Sequence, residues 1–115
     1  MKLPRDGQLL RVFLGESDRW HGRPLYEAIV DEARKHGLAG ATAFRGLAGF
    51  GAHSRIHTSR VLRLSEDLPV LVEIVDSEEK IQAFLPVLDE MVREGLVTVE
   101  KATVIFYRPG ESPAT

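Results

Sequence analysis

Between Gly40 and Ser65 the chain carries no Asp or Glu, while Arg45, Arg55, Arg60 and Arg63 supply four positive charges, joined by His53 and His57. The other 11 of its 15 Lys and Arg residues face 17 acidic ones, so a cationic island sits inside an anionic chain of formal net charge −2. Low-dielectric surfaces lined by one sign of charge focus small counter-ions, and phosphate-bearing ligands belong to that class. A solvated basic loop without a ligand is the plainer alternative. Gly46, Gly49 and Gly51 punctuate the same segment. Glycine admits positive φ and lets backbone donors come close to a phosphate, which favours the anion-binding reading.

Other chemistries can be weighed on the same residues. His53 and His57 are four apart and would face one way on a helix, a start toward a divalent-metal site. With no cysteine in the chain and no carboxylate from 40 to 65, they remain two ligands. Ser54, His57 and Asp67 supply nucleophile, base and orienter types, but nothing near Ser54 encodes a nucleophile elbow. Glu66 and Asp67 are adjacent in a turn, where carboxylates serve backbone donors more often than acid/base chemistry. The chain is therefore read as non-enzymatic. Arg45 to Phe50 resembles the start of an RNA-recognition signature, but it follows a second strand instead of lying on a third, and the aromatic pair is missing. Nucleic acid is not expected as a partner.

Composition narrows the class further. At 115 residues the chain fits one domain, large enough to bury a core without disulfides or a structural metal. Zero cysteines exclude thiol catalysis and disulfide scaffolds and suit a reducing compartment. The apolar runs fall far short of the ~20 residues of a membrane span, and Met1 to Gly15 lacks a signal-peptide pattern. A cytoplasmic location is expected.

The elements that must position the island follow from periodicity. Gln8 to Gly15 alternates Leu10, Val12 and Leu14 against Leu9, Arg11 and Phe13, as a strand does. Leu25, Ala28, Ile29 and Ala33 then fall at helical spacing, with Pro24 suited to the first helical position and Gly37 to the C-terminal cap, predicting a helix over 24–36. Gly40 to Arg45 is a weak second strand, followed by a long aperiodic loop from about 47 to 65. Pro69 to Asp76 is the clearest strand. Asp76 or Ser77 caps the next helix, the Asp76 to Glu79 spacing resembles a capping box, and Ile81, Phe84, Leu85, Leu88 and Val92 form its buried stripe. Pro86 should bend or split that helix near Gln82, Gly95 should end it, and Arg93 should sit in its last turn. Leu96 to Tyr107 is the last strand, and 109–115 a tail.

Two consecutive βαβ units within a core of about 8–107 predict an α+β ferredoxin-like sandwich, a four-stranded antiparallel sheet with both helices on one face. A flavodoxin-like sheet would need more βα units. Leu9, Phe13, Leu71 and Val75 make the second sheet face apolar as well, and packing against copies of itself is the simplest cover.

The run from Gly40 to Ile81 resembles the domain-of-unknown-function 190 family, a branch of the PII-like signalling proteins. The resemblance rests on Arg-Gly-x-x-Gly-Phe-Gly from Arg45, Ile-His-Thr at 56–58 and Leu-Ser-Glu-Asp-Leu-Pro at 64–69. It implies a ferredoxin-like homotrimer with clefts between subunits, in which a small anionic effector, an adenine nucleotide foremost, changes the order of the long loop to control a protein target such as a membrane transporter. Carried onto this chain, the implied ligand set is Arg45, Gly46, Gly49, Gly51, Arg55, His57, Arg60 and Arg108. Tyr107-Arg108-Pro109-Gly110-Glu111 is similar to the PII tail whose arginine meets phosphate, except at Pro109, and the lysine-bearing loop before the last strand is reduced to Glu100-Lys101. The alternatives are an oligomer that binds no small molecule and a metal-binding trimer using His53 and His57.

Overall fold

The computed structural model describes residues 3–50, 57–58 and 67–110. In chain order the elements are β1 (Asp6–Gly15), β2 (Arg19–Trp20), β3 (Arg23–Pro24), α1 (Leu25–Lys35), β4 (Thr42–Arg45), β5 (Ala48–Gly49), β6 (His57–Thr58), β7 (Pro69–Ser77), α2 (Glu78–Met91) and β8 (Leu96–Thr103). The main sheet has the order β4-β7-β1-β8 and is antiparallel throughout. Each helix thus connects two parallel strands with one strand between them, the interleaved βαβ pair of a ferredoxin-like fold.

Alternation sorts the side chains as expected. Leu10, Val12 and Leu14 of β1 and Val70, Val72 and Ile74 of β7 are buried beneath the helices. They meet Leu25, Ala28, Ile29 and Ala33 of α1 and Ile81, Phe84, Leu88 and Met91 of α2 in one cluster. Burying each large side chain contributes roughly 1.5–3 kcal/mol, so this cluster holds the helices on the sheet. Asp31 and Lys35 pair at 3.3 Å on the outer face of α1.

The structure decides or corrects several local expectations. Of the two caps the sequence offers, Ser77 is the one that caps α2: its hydroxyl accepts from the Lys80 N–H at 3.2 Å, while buried Asp76 accepts from the N–H groups of Ala39 and Ser77. No capping box forms at Asp76 and Glu79, because the Asp76 carboxylate is taken by the Ala39 and Ser77 N–H groups and the cap lies one residue further on. The helix runs unbroken through Pro86, which is exposed, so the carbonyl that loses its donor lies toward solvent. It stops at Met91, leaving Arg93 beyond the last turn. Gly95, at φ 150°, instead starts the return into β8, where a Cβ would stand 2.6 Å from the Phe13 carbonyl oxygen. Finally, β8 ends at Thr103 rather than Tyr107, because its ladder partner β1 begins at Asp6. Beyond it the Val104 N–H still donates to the Arg5 carbonyl, at 2.7 Å.

Candidate functional site

The root of the long loop lies at one end of the sheet. Arg45 closes β4 opposite Val70, and Gly15 closes β1 opposite Pro69, so both chain ends flank the start of β7. The guanidinium of Arg45 reaches across β7 and pairs with the carboxylate of Glu16. Glu16 is itself fixed, its N–H donating to the Leu68 carbonyl at 2.8 Å. Asp67 turns inward beside it and accepts from the Ser17 N–H at 2.7 Å, the backbone-serving role expected of a turn carboxylate.

Gly46 does different work from that read in the sequence. Its N–H donates to the Pro69 carbonyl at 2.7 Å and is therefore already engaged. Neither Gly46 nor Gly49 has positive φ. Both are small because Pro69 lies against them: a Cβ on Gly46 would stand 2.7 Å from the Pro69 ring, and one on Gly49 3.1 Å. The loop, expected to be aperiodic, carries a short ladder in which Ala48 pairs Thr58 and Gly49 pairs His57. Phe50 is exposed.

Arg108 leaves the sheet elsewhere. Thr103 pairs with Asp6 and Ser77 with Gly7, which puts the exit of β8 at the opposite end from Arg45, on the opposite edge strand. The end of β4 at Arg45 and the end of β8 at Thr103 are separated by about 25 Å along the strands and about 14 Å across them, and Arg108 follows five residues after Thr103. Arg108 lies over the Phe106 ring, with its guanidinium carbon 4.0 Å from the ring centroid. Glu100 and Lys101, read as the remnant of a loop, are inside β8.

The second sheet face is open, as its sequence pattern predicts. Phe44, Leu71, Phe13 and Leu96 are consecutive cross-strand partners and form an apolar row across all four strands. Phe13 is 39%, Phe44 47% and Leu96 57% exposed. In the next row Arg11 binds Glu73 at 2.9 Å and also pairs with Glu100. The hydrogen bond to Glu73 raises the guanidinium above its ordinary value, with the charge of Glu100 adding to it. Ile105 and Phe106 extend the exposed apolar surface past β8.

Of the residues singled out in the sequence, Gly51, His53, Ser54, Arg55, Arg60, Arg63 and Glu66 lie outside the described residues, and His57 is described by its backbone alone. Among the described residues no three His, Asp or Glu side chains converge on a metal position. Glu16 is the site residue that sequence reading missed. It stands 29 positions from Arg45, and no local pattern links them.

Residues 7–104 match the family DUF190, described as Uncharacterized ACR, COG1993. A UPF0166 protein of Aquifex aeolicus is 40% identical over 99 residues, covering 86% of this chain and 93% of the relative. A UPF0166 protein of Methanocaldococcus jannaschii is 34% identical over 93 residues, covering 80% and 85%. Among solved structures, a PII-like signalling protein of Thermus thermophilus superposes with TM-score 0.63 at 21% identity, over 91% of this chain and 94% of that one. CPII of Thiomonas intermedia K12, a nitrogen regulatory PII-like protein bound to ADP, AMP and bicarbonate, gives 0.58 at 19% identity, over 86% and 88%. The GlnK–ATP complex of B. subtilis gives 0.55 at 12% identity, over 87% and 84%. These likenesses establish a PII-like fold, and with the family match over nearly all of β1 to β8 the chain belongs to the DUF190 family.

Proposed function

We propose that the protein is a non-enzymatic, PII-like regulator that assembles as a homotrimer and binds an adenine nucleotide between subunits. The observation that supports this reading is the placement of Arg45 at one corner of the sheet and of the β8 exit, which leads to Arg108, at the opposite corner, beside an open apolar face. A phosphate site that uses both arginines needs Arg45 from one subunit and Arg108 from a neighbour. Association through the row Phe44, Leu71, Phe13 and Leu96 supplies such neighbours and removes that row from water. Gly46 and Gly49 let the loop root lie flat against Pro69 and so set the wall of the cleft. Gly51, Arg55, His57 and Arg60 complete the proposed ligand set. The ADP, AMP and ATP named with the structural neighbours support the choice of ligand. Ordering of the long loop by nucleotide would then present or withdraw a surface for a protein target.

Calorimetry with ATP, ADP and AMP tests this. Arg45→Ala and Arg108→Ala should each weaken binding about tenfold or more, since a charge-assisted hydrogen bond is worth roughly 1.5–3 kcal/mol. His57→Ala should matter less. Unchanged affinity in both arginine variants overturns the phosphate site. A response to divalent cations alone, lost in His57→Ala, would move the assignment to the metal-binding trimer.

A further inference from the structure

We infer that Glu16 acts as a built-in counter-anion that occupies Arg45 until a ligand phosphate displaces it, which makes it an affinity-setting residue of the proposed site. The inference rests on the nucleotide reading above. Arg45 is the arginine at the root of the long loop, and Glu16 has its carboxylate on that guanidinium already. The pair is unequal in freedom. The Arg45 side chain is 62% exposed and can turn outward, whereas that of Glu16 is 24% exposed and its backbone is tied to Leu68.

Any ligand phosphate approaching Arg45 must therefore compete with a carboxylate that cannot diffuse away. It must also approach that negative charge, and Asp67, held by the Ser17 N–H, adds a second one nearby. A phosphate that carries two negative charges and presents three acceptor oxygens can displace the single carboxylate. The exchange lowers affinity for every phosphate ligand that uses Arg45 and sets the threshold at which the site fills. It also couples occupancy to the loop, because displacing Glu16 frees Arg45 at the junction where the loop leaves β4.

The test is calorimetric titration of ADP, AMP and inorganic pyrophosphate into the full-length protein and into Glu16→Gln, Arg45→Ala and the double variant. Glutamine keeps the shape of the side chain and removes its charge. Glu16→Gln should tighten ADP, AMP and pyrophosphate alike, by about two- to fivefold each. In the Arg45→Ala background the tightening should vanish. Equal affinities for wild type and Glu16→Gln would overturn the counter-anion role, and if Arg45→Ala still weakens ADP the nucleotide reading survives that result. If no variant binds ADP, the nucleotide reading fails, and the pyrophosphate titration alone decides on Glu16: tighter binding by Glu16→Gln sustains the role, equal binding or none refutes it.

Discussion

Asp76 is fully buried at the end of β7, with its carboxylate accepting from the Ala39 N–H at 2.7 Å and the Ser77 N–H at 2.6 Å. It therefore ties the α1–β4 connection to the start of α2, and Lys80 reinforces the tie by donating to the Gly37 carbonyl at 2.9 Å. Asp76→Ala would leave two backbone donors without a partner in a buried setting. Urea denaturation should record a loss of about 2–4 kcal/mol, against less than about 1 kcal/mol for Lys80→Ala at the surface. Gly95 is the second residue whose side chain, or lack of one, decides a path. Gly95→Ala would force a Cβ toward the Phe13 carbonyl at a backbone angle that L-residues avoid, and it should destabilise the α2–β8 return.

At the scale of elements, α2 tolerates Pro86 in its middle because the ring faces solvent and Ile81, Phe84, Leu88 and Met91 hold the opposite side in the core. Tertiary burial outweighs one missing helical hydrogen bond. Restoring that bond with Pro86→Ala should raise stability by about 1–2 kcal/mol, less than the ~3 kcal/mol of an isolated helix because proline also restricts the unfolded chain. An unchanged melting temperature would mean that the bond is not restored. The outer face of α1 offers a pH test. The hydrogen bond from Lys35, its charge and then Arg23 lower the Asp31 carboxyl below its ordinary value. A depressed carboxyl adds stability above its unfolded value and loses it as pH falls through the folded one. Asp31→Asn should thus be slightly less stable than the parent at neutral pH, and the difference should close in acid below the usual aspartate range.

At the scale of the molecule, the open sheet face governs behaviour. The row Phe44, Leu71, Phe13 and Leu96 exposes apolar surface that the proposed association would bury, with Arg11, Glu73 and Glu100 beside it as a polar mark for how copies would meet. Light scattering at micromolar concentration should give about three times the 12.8 kDa chain mass. Phe13→Glu and Val75→Glu should dissociate the assembly, since an unpaired charge buried at an interface costs several kcal/mol. A monomeric parent protein would refute self-association through this face.

Periodicity was enough to determine the two helices, the strands β1 and β7, most of the residues that enter the core and the apolar second face, although in α2 Met91 takes the core place expected of Val92. Each of those properties is a relation among neighbours in the chain, carried by a repeat of two or of about 3.6 residues. The arginine at the loop root and its flanking glycines were legible for the same reason. Their work was not. Whether Gly46 cradles a phosphate or presses on Pro69 depends on β4 lying beside β7. Asp76 gives way to Ser77 as the cap because the β7 ladder extends to Ser77 opposite Gly7. The cationic island contains no carboxylate in sequence, yet the strand order β4-β7-β1 delivers Glu16 to Arg45 across β7, and the same sheet puts the exit of β8 toward Arg108 at the far corner. Strand order and register are settled by burial of the whole apolar surface at once, and no local stretch of the chain contains that information.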